Sequence, residues 1–316
     1  MSNTLLDVRH LKKYFKTPAG MLHAVDDVSF TIQAGKTLGV VGESGCGKST
    51  LGRTILHLIP PTEGEIWFDG QNISRMDSHA FKESRQQMQI IFQDPYSSLN
   101  PRMTVEDIIA EPMIIFNQYS NAAERKKYVQ HLMDSVGLAS RLARCYPHEL
   151  DGGRRQRIGV ARALALKPKF IVCDEPVSAL DVSIQAQILN LMQDLQDEMG
   201  LTYMFITHDL SVVKHVSNDI CVMYLGKMVE KSSTEELFQN TCHPYTQALL
   251  SAIPIPVPHA AENRILLKGE LSSPINPKPG CRFAPRCPKA CAACFDSSPE
   301  LHEVSPGHFV ACHLYE

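Results

Sequence analysis

Apolar and polar residues alternate at positions 6–8, 25–32 and 66–68, the period-two pattern of half-buried strands. Three runs are apolar throughout: Thr37-Leu38-Gly39-Val40-Val41, Phe170-Ile171-Val172-Cys173 and Tyr203-Met204-Phe205-Ile206. Short runs of this kind mark strands covered on both faces. The first leads into a glycine-rich turn and then a helical stretch over 49–58, which must stop before Pro60-Pro61 because proline pushes the residue before it out of the helical region. The other two each end in polar residues. Strands alternating with helices predict an α/β fold around a mostly parallel sheet, with ligands at the strands' carboxyl ends. Between 95 and 166 the period lengthens, predicting helices over 105–115, 122–136 and 155–166, a helical insert beside the sheet. Past 252 prolines accumulate (Pro254, Pro256, Pro258, then Pro274, Pro277, Pro279), as in a linker to a small tail. No internal repeat is visible.

Composition narrows the class. The 316 residues, 44% hydrophobic and 21% charged, suit one large domain with an appendage, or two domains. A formal net charge of -3 argues against a general nucleic-acid binder. No apolar run reaches the roughly 18 to 20 residues of a membrane span. The longest candidate, around 105–116, is broken by Glu106, Asp107, Glu111 and Pro112. The amino terminus has no basic segment followed by an apolar core, so no signal peptide is expected, and any link to a membrane is expected to run through partner proteins. Of ten cysteines, Cys281, Cys287, Cys291, Cys294 and Cys312 crowd the tail. In a reducing compartment such a cluster reads as a metal site before it reads as disulfides.

The chemistry is carried by two motifs. Gly42-Glu43-Ser44-Gly45-Cys46-Gly47-Lys48-Ser49-Thr50 fits G-x-x-x-x-G-K-[ST], between a buried strand and a helix. Its glycines let backbone N–H groups turn inward around phosphate oxygens at a helix N-terminus. Lys48 is placed to neutralise the β- and γ-phosphates, and Ser49 to bind Mg²⁺. Cys173-Asp174-Glu175-Pro176 follows a second buried strand. There Asp174 is expected to hold Mg²⁺ through water, and Glu175 to orient or deprotonate the attacking water. Alone, two such carboxylates would as readily be solvated loop residues; the phosphate loop upstream gives them a task.

With these motifs in this order, residues 5–250 resemble the ATP-binding-cassette family. The resemblance implies a P-loop nucleotide-binding domain with a β-subdomain and a helical insert, binding ATP and Mg²⁺. It also implies further site residues. Gln93 matches the loop that touches Mg²⁺, the water and the membrane partner. Asp181, in Ser178-Ala179-Leu180-Asp181, matches the loop that crosses the dimer interface. His208 matches the histidine that contacts the γ-phosphate. Tyr14 resembles the aromatic that stacks on adenine, with Phe15 as its rival. The family signature Leu-Ser-Gly-Gly-Gln is replaced by Leu150-Asp151-Gly152-Gly153-Arg154. Gly152 and Gly153 still offer N–H groups at a helix start, and Asp151 is a competent N-cap. Asp151, however, brings negative charge toward the phosphate of a partner's ATP where serine would donate a hydrogen bond. Two readings stand: a weakened hydrolysis site, or a harmless local pair of Asp151 with Arg154.

The tail resembles that of the oligopeptide and dipeptide importer ATPases, through His243-Pro244-Tyr245-Thr246-Gln247-Ala248-Leu249-Leu250 and Pro279-Gly280-Cys281-Arg282-Phe283-Ala284-Pro285-Arg286-Cys287-Pro288. The segment from Phe92 to Arg102 is similar to the second of the two ATPases that pair in that branch. Cys281, Cys287, Cys294 and Cys312 match the branch's four tail cysteines, where a [4Fe–4S] cluster is implied; Zn²⁺ or free thiols packed as small hydrophobes are the alternatives. Cys291 is extra to that pattern. The expected organisation is an ATPase domain over 1–252, with its helical subdomain about 95–166, then a cysteine-rich region over 253–316. The implied activity is ATP hydrolysis energising a di- or oligopeptide importer from the cytoplasmic face of the inner membrane. The implied partners are a second, homologous ATPase, two transmembrane permease subunits and an extracytoplasmic solute-binding protein, without nucleic acid. A nickel or other small-solute transporter is the alternative, and a soluble ATP-driven cassette a more distant one.

Overall fold

A computed structural model describes residues 3–77, 81–119, 121–253, 264–267, 269 and 273–316. Pro254, Pro256 and Pro258 of the expected linker lie outside them. The chain forms two compact units: Met1–Asn3, Gln33–Lys36 and Arg75–Met204 in one, Thr4–Ile32, Thr37–Ser74 and Phe205–Glu316 in the other.

The unit containing the phosphate loop holds strand Thr37–Val41, buried at every position, as its apolar run predicts. It lies parallel to Asp219–Tyr224, with Val40 opposite Cys221. That strand turns at Leu225-Gly226 into antiparallel Lys227–Ser233. The tail then extends this sheet: His308–Val310 pairs with Lys227–Ser233, Glu230 facing Val310, and His302–Ser305 pairs outside it. A segment too short to build its own core thus takes a share of an existing one, and the edge of Lys227–Ser233 is covered. A separate sheet runs in the order Gly20–Gln33, Thr4–Thr17, Glu63–Phe68, Gln71–Asn72. Its alternation is the predicted one, with Leu6, Val8 and Ile66 fully inside.

The tail is also pinned by charge. Glu230, fully buried, accepts from the N–H groups of Cys242 (2.8 Å) and His243 (3.2 Å) and pairs with His308 Nε2 at 2.9 Å. His308 Nδ1 lies 3.5 Å from Glu236. Hydrogen bonding to Glu230 raises the His308 pKa, while burial lowers that of His243 to about 4. Among the described residues Glu230, Cys242 and His308 form a group of possible metal ligands, with ligand atoms within 4.8 Å of one another. Hydrogen bonds already satisfy the Glu230 carboxylate there, so the group reads as a buried ionic anchor.

In the other unit, strand Met88–Ile91 lies parallel to Phe170–Asp174. The predicted helical insert is present as Val105–Ile115, Ala122–Ser135 and Gly152–Leu164. Thr104, Asn121 and Asp151 cap their N-termini by accepting backbone N–H groups, which fixes where each helix starts. Their buried faces follow the helical period: Val105, Ile108, Ile109 and Met113 on the first, Val129, Leu132 and Met133 on the second. The third helix starts at Gly152 rather than at 155, because the Asp151 cap draws both glycines into its first turn.

Candidate nucleotide site

Strand Thr37–Val41 delivers the chain into a turn over 42–47, and helix Lys48–Ile55 leaves it. Two glycines are obligatory there. Gly42 sits at φ 150°, where a Cβ would lie 2.2 Å from the Met223 carbonyl oxygen; Gly47, at φ 104°, would meet the Ala24 carbonyl oxygen at 2.0 Å. The helix has no side-chain cap and no acid in its first turn, so its dipole favours an anion at that end. Lys48, 5% exposed, donates to the carbonyl oxygens of Gly42 (2.7 Å) and Glu43 (2.9 Å), which holds its positive charge at the turn. Ser44 and Gly45 are exposed, Ser49 and Thr50 half-buried on the first helical turn, and Cys46 is buried with its thiol pKa pushed up by desolvation.

Two further groups grip this turn, both within the tail motifs quoted above, which give no sign of the contact. The Glu43 N–H donates to the Tyr245 hydroxyl at 2.8 Å. The Glu43 carboxylate accepts both arms of Arg286, at 2.7 and 3.1 Å. Tyr14, the expected adenine platform, donates its hydroxyl to Asp26 at 2.5 Å and stacks one ring face on His23 with centroids 3.9 Å apart. Burial, followed by the Asp26 hydrogen bond, raises its pKa. Phe15 is half-buried and lies under the Lys13 ammonium at 4.8 Å. His208 is exposed just beyond strand Thr202–Ile206, beside Asp209, which caps helix Leu210–Val216.

The carboxylates lie in the other unit. Asp174 ends strand Phe170–Asp174 and is 1% exposed. Glu175 follows with φ 49°, a left-handed conformation costing a non-glycine residue about 1–3 kcal/mol. Gln93 Nε2 donates to Glu175 Oε2 at 2.8 Å, a contact between residues 82 apart in sequence. Ser178 donates its hydroxyl to the Glu175 carbonyl at 3.1 Å, and Asp181 caps helix Val182–Met199 through the Ile184 N–H at 3.0 Å. At the signature position, Asp151 accepts the Arg154 N–H at 2.8 Å, and its other oxygen pairs with the Arg154 guanidinium at 3.2 Å. Both parts anticipated from sequence, the cap and the pair, are present. Gly153 is buried, and Gly152 lies beside Leu180 of the Ser178–Asp181 loop.

In the tail, the Cys281 N–H donates to the Cys294 carbonyl at 2.7 Å, and Cys291 Sγ lies 3.4 Å from Cys294 Sγ. Burial raises the thiol pKa values of Cys281 (to about 11), Cys287, Cys294 and Cys312. Backbone N–H groups oppose this by favouring thiolate: those of Phe283 and Ala284 at Cys281, Lys289 at Cys287, Cys291 at Cys294 and Leu314 at Cys312. Cys291, set aside by the four-cysteine pattern, is thus brought beside Cys294; their C-x₂-C spacing was the available signal.

Residues 25–178 match the ABC transporter family, and residues 229–294 match the oligopeptide/dipeptide transporter C-terminal region. The oligopeptide transport ATP-binding protein AppF of Bacillus subtilis is 53% identical across 99% of this chain and 98% of its own length. The chain belongs to the ABC transporter ATPases. The dipeptide transport ATP-binding protein DppF of Haemophilus influenzae is 51% identical, over 98% of this chain and 96% of its own. A dimeric post-hydrolysis structure of the ATP-binding cassette MJ0796, bound to ADP and Pi, superposes with a TM-score of 0.67 at 28% identity, covering 73% of this chain and 99% of that one. As an ABC transporter ATPase, the protein uses ATP and Mg²⁺ in an α/β P-loop fold. Among the described residues no helix is long and apolar enough to cross a membrane.

Proposed function

We propose that this ABC transporter ATPase hydrolyses ATP to drive import of oligopeptides or dipeptides through membrane permease partners, working as a peripheral subunit on their cytoplasmic face. The observation that carries hydrolysis is the Gln93–Glu175 contact at 2.8 Å, with Glu175 in a strained backbone conformation. Glu175 takes or orients the proton of the attacking water, and Gln93 holds its carboxylate in place. Lys48 and the N–H groups around Gly45, Cys46 and Gly47 bind the phosphates, with Ser44, Thr50 and the exposed His208 beside them. Ser49, Gln93 and Asp174 are the residues suited to Mg²⁺, which supplies charge neutralisation at the β- and γ-phosphates. Tyr14 meets the adenine. Asp151, Gly152, Gly153, Arg154 and Asp181 face a second, homologous ATPase, ATP drawing the two together. The C-terminal region match and the peptide-transport relatives support the peptide substrate, received from an extracytoplasmic binding protein.

The donor set of the tail fits a [4Fe–4S] cluster. Cys281, Cys287, Cys294 and Cys312 are four thiols, the number such a cluster takes, and backbone N–H groups at all four work against the burial that raises each thiol pKa. Zn²⁺, the other reading, fits less well, since tetrahedral Zn–thiolate bonds of about 2.3 Å put the sulfurs about 3.8 Å apart, and among the described residues no three of these cysteines have ligand atoms within 4.8 Å of one another. Either would fasten the tail.

Intact-mass analysis of the complex that co-purifies with this chain from detergent-solubilised membranes tests the assignment. A second ATPase with two membrane subunits is expected. Two copies of this chain would overturn the pairing with a second, different ATPase, and no membrane subunit would overturn the transport role.

A further inference from the structure

The segment between Cys281 and Cys287 holds the leading end of the phosphate loop directly and its trailing end through the Leu225–Gly226 turn. At the leading end, Arg286 makes a two-armed pair with Glu43; the side chains are 11% and 27% exposed, so the pair is largely withdrawn from water. At the trailing end, Arg282 donates to the Leu225 carbonyl and to Asp26. Leu225 and Gly226 form the turn against which the loop closes, since the Gly226 N–H donates to the Cys46 carbonyl at 2.8 Å. Asp26 in turn receives the Tyr14 hydroxyl, and its N–H donates to the Gly226 carbonyl at 2.8 Å. Phe283, between the arginines and 1% exposed, packs among Tyr224, Tyr245 and His243, with ring centroids 5.2 to 5.7 Å away. The segment is therefore seated in the core and not draped over it.

An acidic residue inside a phosphate-binding turn is an electrostatic liability. Glu43 places a full negative charge two residues ahead of Gly45, where polyphosphate is to bind, and in a partly buried setting that charge is poorly screened. Arg286 cancels it: its guanidinium takes both Glu43 oxygens, at 2.7 and 3.1 Å, and a guanidinium keeps its charge across the working pH range. We propose that Arg286 is a positioning residue for nucleotide binding. It neutralises and fixes Glu43, making the C-terminal tail part of what sets the affinity of the ATP site. Arg282 supports it by holding the Leu225 turn. This rests on the reading of residues 42–50 as the ATP site.

The test is equilibrium binding of a fluorescent ATP analogue with Mg²⁺ to the purified full-length chain, together with ATP turnover at saturating ATP. Arg286→Ala is expected to weaken binding about tenfold by exposing the phosphates to an unpaired carboxylate, with a smaller effect on saturated turnover. Glu43→Gln combined with Arg286→Ala is expected to return binding to within about threefold of wild type, because no charge is left to repel. A merely structural strap predicts the reverse, since the double variant would lose both grips and bind no better than Arg286→Ala. Wild-type binding by Arg286→Ala, or no rescue in the double variant, overturns the inference. Should Arg286→Ala fail to fold, Glu43→Gln alone decides: binding within threefold of wild type supports the charge argument, and a loss beyond tenfold overturns it. If the wild-type chain itself binds no ATP analogue, the reading of the loop as the ATP site is what fails.

Discussion

Restoring the signature tests the charge argument most directly. The perturbation is Asp151→Ser with Arg154→Gln. Asp151 is 59% exposed and Arg154 49%, so their 3.2 Å pair contributes at most about 1 kcal/mol to stability. Serine caps a helix about as well as aspartate, so the fold should hold to within about 0.5 kcal/mol. Chemistry should change more. For an assumed separation of about 6 Å between carboxylate and γ-phosphate, at an effective dielectric of roughly 40 to 80, removing the charge relieves about 0.7–1.4 kcal/mol. Arg154 already offsets part of that. The serine hydroxyl adds a hydrogen bond to a charged acceptor, worth about 1.5–3 kcal/mol. Only the share felt more strongly in the transition state accelerates hydrolysis, so the expected rise in turnover of the assembled complex is about tenfold. Asp151→Asn, which removes charge and keeps the cap, should give about threefold. The assay is ATP turnover at saturating ATP on the detergent-purified complex, with thermal unfolding as the control. Turnover unchanged by the double substitution at unchanged stability would refute the reasoning and leave Asp151–Arg154 a harmless local pair.

Two other outcomes follow from the geometry. Glu175→Gln should cut ATP turnover by about 10²–10⁴-fold while leaving nucleotide binding within a few-fold; comparable turnover would remove Glu175 from the proton-handling role. The buried histidines should give stability a maximum near neutral pH. His308, with its pKa raised by Glu230 and flanked by Glu236 and Cys242, stabilises fully below about 6.5 and loses that stabilisation as pH rises through its folded value. His243, lowered to about 4, stabilises above about 6.5 and loses up to about 3 kcal/mol as pH falls toward 4. Thermal unfolding at pH 5, 6.5 and 9 checks both. His308→Gln should flatten the alkaline limb and His243→Asn the acid limb, and a wild-type curve flat across that range would contradict the assignment.

Much of the fold was legible because burial on two faces leaves a plain mark. The runs at 37–41 and 170–173 are buried strands, and the helix over 105–115 has the bounds its period gave. The placement of Gln93 and Glu175 just after strands was legible through motifs, since a polar residue at a strand end lies on the ligand side of an α/β sheet; their contact with each other was not. What stayed hidden was non-local. Nothing in the spacing of Lys227–Ser233 announces that its edge is completed by His308–Val310, some eighty residues on. Nor does a proline-rich, cysteine-rich tail advertise a hydrogen bond to residue 43. Such contacts depend on which surfaces meet, and local periodicity carries no information on that.

The tail changes how the phosphate loop should be understood. A glycine-rich turn is conformationally free, and binding a polyphosphate in it costs the entropy of ordering that turn. Here much of the ordering precedes the ligand. Tyr245 holds the Glu43 N–H, Arg286 holds its carboxylate, and the Leu225–Gly226 turn, itself held by Arg282, takes the Cys46 carbonyl. All of the gripping groups lie outside the span 25–178 that matches the ABC transporter family, and Tyr245, Arg282 and Arg286 lie past 240. Preorganisation of this kind raises affinity without adding a contact to the nucleotide. Because Arg282 and Arg286 lie between Cys281 and Cys287, whatever orders those thiols also orders the grips on the loop. Through Glu43 and the Leu225–Gly226 turn, the C-terminal region can therefore set how tightly ATP is held.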